Sequence, residues 1–186
     1  MATQTKTSKR TRTATRDKRS PWLWLIGLAV VLAIAAPIIL NALGSRNLPG
    51  ESFRSQGNTH ISEGTSHPEY NSNPPTSGWH TPNLLAWRSY DYLVPDEPLI
   101  HNLEDGGVIL WYSYGTPEAN SENIEKLEAV SNGYRNVVIA PREGMETPYT
   151  LTAWTRLQRF DTVDETGMRA FLEAYEGTDH HSAGGS

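Results

Sequence analysis

An uncharged apolar run from Trp22 to Leu40, WLWLIGLAVVLAIAAPIIL, constrains this chain more than any other feature. Its length is close to the ~20 residues that cross a ~30 Å hydrocarbon core as a helix. Trp22 and Trp24 suit the bilayer interface, and the cations lie on their N-terminal side. Residues 1–20 carry Lys6, Lys9, Arg10, Arg12, Arg16, Lys18 and Arg19 against Asp17, a net charge of +6. The positive-inside rule therefore leaves this basic tail in the cytoplasm and everything after Gly44 outside. A cleavable signal peptide is the competing interpretation, because Ala33-Ile34-Ala35 has the form of a small-x-small cleavage site. The apolar run continues through Ile38, Ile39 and Leu40, and the basic region is long for a signal, which favours an uncleaved anchor. The expectation is a single-pass protein of the cell membrane with an extracytoplasmic C-terminal domain, its one transmembrane helix set in the lipid bilayer.

The whole chain is −5, so residues 21–186 carry −11 (−5 less the +6 of the tail). Such an acidic remainder excludes a nucleic-acid groove, which needs clustered Lys and Arg to displace phosphate counterions. Cysteine is absent. Its absence excludes disulfides, iron–sulfur clusters, thiolate zinc sites and a cysteine nucleophile.

The chain divides into a basic cytoplasmic tail at 1–20, an anchor at 21–43, a linker at 44–58, an extracytoplasmic domain at 59–177 and a disordered tail at 178–186. Thr59 to Pro98 is rich in Pro, Asn, Ser and Gly, with scattered aromatics. A structureless loop of that length does not belong in a small domain. It reads instead as an arm laid across the domain and held by Tyr70, Trp79, Trp87, Tyr90 and Tyr92, extended around Pro74 and Pro75. The stretch IHNLEDGGVILWY from Ile100 to Tyr112 places polar groups on a loop at the mouth of a buried strand. Gly115-Thr116-Pro117 then marks a turn and helix start. Ile124, Leu127 and Val130 give that helix an apolar face, and Gly133 ends it.

Asn136 to Ala140 reads as a short strand, and Thr147 to Phe160 contains another, close enough to pair with it antiparallel. Thr162 and Glu165 form a capping-box pattern before a helix carrying Met168, Phe171, Leu172 and Tyr175 on one face, stopped by Gly177. The segment between 113 and 135 is long enough for a parallel crossover. The predicted fold is α+β: a small mixed sheet, two helices covering one face, and a long irregular N-terminal arm, preceded by one transmembrane helix.

Four motifs in this order carry a resemblance. They are NPPTSG at 73–78 followed by His80, HNLEDGGVILWY at 101–112, VVIAP at 137–141 and LTAW at 151–154. Together they resemble the bacterial domain-of-unknown-function 3105 family, over roughly residues 59–177. The resemblance implies a single-pass membrane or exported protein and brings no activity with it. Members of that family usually show a second histidine in HNLE-H-G, where this chain has Asp105, and a Pro before the histidine of SG-x-H, where this chain has Trp79.

Imidazole is the commonest metal ligand near neutral pH. In a cysteine-free domain a metal site must draw on His, Asp, Glu, Met or Tyr. His80 and His101 with Asp105 or His60 would supply three or four donors to zinc, and the soft thioether of Met145 would move the preference toward copper. The arm would carry His60 and His80 back to His101. A purely structural reading stands beside this one: His101 and Glu104 hydrogen-bond the arm, Asp105 is turn chemistry before two glycines, and Met145 packs a loop. His67, His180 and His181 read as solvated bystanders.

His-x-x-Glu-Asp also departs from the His-x-x-Glu-His hydrolase signature, in which Glu104 would be a general base. That signature needs a helix, and Pro98 and Gly106-Gly107 leave little room for one. A metal-dependent hydrolase is thus an outsider. The main functional expectation is transition-metal handling in the bacterial cell envelope. The alternative is a non-catalytic accessory or scaffold module that binds an envelope protein partner through its aromatic arm.

Overall fold

The computed structural model describes residues 25, 26, 28–36 and 48–181. Residues 25, 26 and 28–36 are helical. The anchor expected at 21–43 lies in part outside the described residues, and the basic tail at 1–20 and residues 182–186 lie wholly outside them. Among the described residues, no helix is long and apolar enough to cross a membrane. The chain divides after Asn47, and the unit beginning at Leu48 holds all the strands described here.

Five strands make one mixed sheet. They are β1 (Glu51–Ser52), β2 (Val108–Ser113), β3 (Val137–Arg142), β4 (Tyr149–Ala153) and β5 (Arg156–Phe160), in the order β1-β5-β4-β2-β3. Three helices accompany them: α1 (Asp96–Glu104), α2 (Ser121–Ser131) and α3 (Glu165–Tyr175). The crossover through α2 makes β2 and β3 parallel, in register from Val108↔Val137 to Ser113↔Arg142. The segment 147–160 does not pair with β3. It forms a hairpin, β4–β5, and β4 joins the other edge of β2, with Ile109 opposite Thr152. The reason lies in β2, buried from Val108 to Tyr112 and therefore needing a partner on each side.

The outer edge of β3 goes to the arm instead. Ile139 N donates to Arg88 O at 3.1 Å and Tyr90 N donates to Ile139 O at 2.8 Å, so the edge is covered. Part of the expected linker also joins the sheet, since Glu51 and Ser52 pair with β5. The Tyr175 hydroxyl donates to Pro49 O at 2.7 Å.

Alternation along the strands makes two cores. Val108, Leu110 and Tyr112, with Val137 and Ile139, meet Leu127 and Val130 of α2 and Met168, Phe171 and Leu172 of α3. Ile109 and Trp111, with Val138 and Ala140, meet Leu99, Ile100 and Leu103 of α1 and the aromatics Tyr90 and Trp154. Helices therefore lie on both faces, not on one as expected. The arm follows the second face, where Tyr70, Leu85, Trp87 and Val94 pack against its core.

Two helix starts differ from the sequence reading. α3 is capped by Asp164, whose Oδ1 accepts from Gly167 N at 3.1 Å, in place of Thr162. α2 is capped by Asn120 and begins at Ser121, four residues past Pro117. Both caps put a short side-chain acceptor at the free N–H groups of the first turn, where it is needed.

Candidate metal centre

The site is built on α1, the helix that its flanking residues concealed. Pro98 is the third residue after the cap Pro95, in the first turn, where its missing N–H costs no hydrogen bond. Asp96 and Glu97 suit the positive end of the helix dipole, and Asp96 is ion-paired with Arg142 at the end of β3. Leu99, Ile100 and Leu103 bury one side of α1. His101 and Glu104, one turn apart, share another side near its C-terminus.

The glycines that follow allow close approach of other segments. A Cβ at Gly107 would stand 2.5 Å from both Asn102 O and the Trp87 ring, and one at Gly106 would stand 2.8 Å from the backbone of Thr178. Residues 101–104 are therefore the last turn of a helix, with Asp105 as its C-cap, not the loop expected before β2.

Asn102 clamps the arm to this helix. Its Oδ1 accepts from Leu85 N and its Nδ2 donates to Leu85 O, each at 2.9 Å. Further back, residues 59–61 run beside His80: His80 N donates to Thr59 O at 3.1 Å and Ile61 N to His80 O at 2.8 Å. This short parallel bridge sets His60 and His80 side by side. Their ring centroids are 4.8 Å apart, and each lies 5.2 Å from that of His101.

Glu104 is the hub. His80 Nε2 lies 2.8 Å from its Oε2, and His60 Nε2 lies 3.8 Å from the same oxygen. Asn58 Nδ2 donates to the other oxygen, Oε1, at 2.7 Å. Ligand atoms of His60, His80, His101 and Glu104 all fall within 4.8 Å of one another, so the group could hold a metal ion. Atoms bound at ~2.0–2.1 Å to a tetrahedral ion stand about 3.3 Å apart, a value the 2.8 and 3.8 Å separations bracket.

The surroundings suit ligation. His80 is fully buried and its Nδ1 lies 2.7 Å from Gly78 O, an atom that only accepts. Nδ1 therefore donates, the ring is fixed, and Nε2 faces the cluster. His101 is buried with an Nδ1 that has no hydrogen-bond partner, an arrangement that needs an explanation in a folded interior. Burial pushes the His101 pKa down, an effect that Asp105 opposes and His80 and His60 reinforce. The neutral ring, the form that ligates, is thereby favoured.

Among the sequence-predicted residues, then, His60, His80 and His101 come together. Asp105 stands next to them, its Oδ1 3.8 Å from His101 Nε2, in a second group with His101 and His181. Met145 packs against the aromatic core that contains Trp111 and Trp154. Two residues were missed in these roles. Glu104 had its signal in the His101/Glu104 spacing, readable only once 96–104 is taken as a helix. His181 had none, because a tail reading GTDHHSAGGS looks frayed. In the structure that tail is docked, with Gly177 N donating to Gly106 O and His180 N to Glu104 O, each at 2.8 Å.

These features define an α+β domain with a mixed sheet and a buried imidazole–carboxylate cluster able to hold a metal ion. The chain belongs to the family described as "Protein of unknown function (DUF3105)", which it matches over residues 60–185. That span opens on His60 and includes every candidate metal ligand named above. No curated protein and no solved structure matches the chain.

Proposed function

We propose that this is a membrane-anchored, extracytoplasmic metal-binding protein, holding one transition-metal ion through His60, His80, His101 and Glu104. Its role on this reading is metal handling in the cell envelope, not catalysis. The observation that carries the reading is the meeting of donors from three separate segments at one carboxylate, with His80, His101 and Glu104 all buried. Burying a carboxylate and two imidazoles is costly unless partners repay it, and a shared cation does so directly.

Zinc is the ion of first choice. Three nitrogens and one oxygen make a closed four-donor set of the kind that holds zinc without a free position for substrate. Copper remains the competitor through its higher intrinsic affinity for nitrogen donors, whereas the thioether of Met145 supports the aromatic core. Membrane anchorage belongs to the same proposal and rests on the uncharged run at 22–40 and the cations before it.

The test is metal retention by the full chain. Purified protein is loaded with zinc or copper, dialysed and assayed for metal by mass spectrometry, with circular dichroism as the check on folding. Wild type is expected to keep about one ion per chain, and His101→Ala to lose it while remaining folded. Equal retention by the two proteins, or none by wild type, would overturn the assignment.

A further inference from the structure

A second donor group overlaps the first. Ligand atoms of His101, Asp105 and His181 lie within 4.8 Å of one another, and His101 is common to both groups. His181 reaches across them: its Nε2 is 3.5 Å from Glu104 Oε2 and its Nδ1 is 3.6 Å from Asp105 Oδ1. The deepest donors belong to the first group: the side chains of His80 and Glu104 are 0% and 1% accessible, with His60 at 47%, whereas those of Asp105 and His181 are 27% and 44% accessible.

The tail that delivers His181 is held mainly by its backbone. Thr178 passes so close to Gly106 that no side chain would fit there, and His180 N donates to Glu104 O. The His180 ring stacks near Trp154, with centroids 6.0 Å apart. Asp179 Oδ1 then accepts from both His181 N, at 2.8 Å, and His181 Nδ1, at 2.7 Å, aiming the ring.

We infer that His101, Asp105 and His181 form an outer cation position through which the ion passes to and from the inner one, His101 serving as ligand in both. The inference rests on the metal-binding reading above and adds a route to it. An ion moving between the groups changes partners within two sets that share His101. Glu104, within reach of His80, His60 and His181, is the carboxylate that follows it.

The experiment follows zinc leaving the loaded full chain into an excess of a chromophoric chelator. For His181→Ala and for Asp105→Asn, release is expected to be about tenfold slower, equivalent to about 1.4 kcal/mol on the barrier. The zinc held per chain at equilibrium should be unchanged, because the inner donors are intact. A tail that merely covers the site predicts the opposite, faster release in His181→Ala and also in His180→Ala, which disturbs the docking but removes no proposed donor. Unchanged or faster release in His181→Ala overturns the outer position. If wild type retains no zinc at all, the metal-binding reading falls with it, which separates the two failures.

Discussion

The two faces of the sheet are built from one strand pattern and serve different ends. β2 sends Val108, Leu110 and Tyr112 to one side and Ile109 and Trp111 to the other. The first side is roofed by α2 and α3, two regular amphipathic helices, and its core consists entirely of hydrophobic side chains. The second is roofed by one short helix and an irregular arm, and the buried polar groups Thr76, Ser77, His80, His101, Asn102 and Glu104 belong to these covering segments. A regular helix satisfies its own backbone and asks only for apolar contact. An irregular arm must find partners for its backbone and polar side chains, and those partners can be arranged as a site. Stability should therefore depend most on the first face, and metal binding on the second.

The largest expected effect tests the first half of that statement. Phe171, on α3, is fully buried in the helix-covered core. Phe171→Ala should cost about 3–5 kcal/mol of unfolding free energy in denaturant titration, through lost burial and the cavity left behind. Zinc retained per folded chain should not change. If retention fell in proportion to stability, the two faces would be one cooperative unit for binding, and the contrast between them would fail.

Glu104→Gln comes next and tests the other half. The amide has nearly the same shape, can still accept from Asn58 Nδ2, and can turn its NH2 toward His80 Nε2, so the hydrogen-bonded neighbourhood survives. The unfolding midpoint of the metal-free protein should move little. The negative charge and the strong oxygen donor are gone, so zinc affinity in chelator competition should fall by more than the ~10–100-fold that loss of an outer-shell partner costs. A large loss of metal-free stability with affinity intact would make Glu104 a structural carboxylate and remove it from the site.

The contrast also explains what could be read in advance. β2 announces itself as a continuous apolar run, and the helix-forming residues Ile124, Leu127 and Val130 and the face of Met168, Phe171 and Leu172 announce themselves through periodicity, because a single face of each helix meets an apolar core. α1 did not, since Pro98 and Gly106-Gly107 look like breakers until their positions at the two ends of a nine-residue helix are known. Histidine positions suggested convergence of the arm, but nothing local reveals that Asn102 clamps Leu85 or that Tyr90 pairs with Ile139. Such contacts are long-range and carry no period. His181 was invisible for the same reason, its docking being made by backbone groups that every sequence possesses.

The smallest effect is the sharpest control. Asn120 caps α2 by accepting from Asn123 N at 3.0 Å on the exposed rim of the helix-covered face. Asn120→Ala should cost about 1 kcal/mol, the usual worth of such a cap, measured as a shift of the denaturation midpoint at constant slope. Its influence should stop there, because the Asn120 side chain touches only α2 and Pro117 just before it, and the sheet stands between that helix and the histidines. Zinc affinity and release rate should match wild type within error. A changed release rate would mean that strain in α2 passes through β2 to α1, and the sheet would then be a transmitter between its two faces instead of a partition.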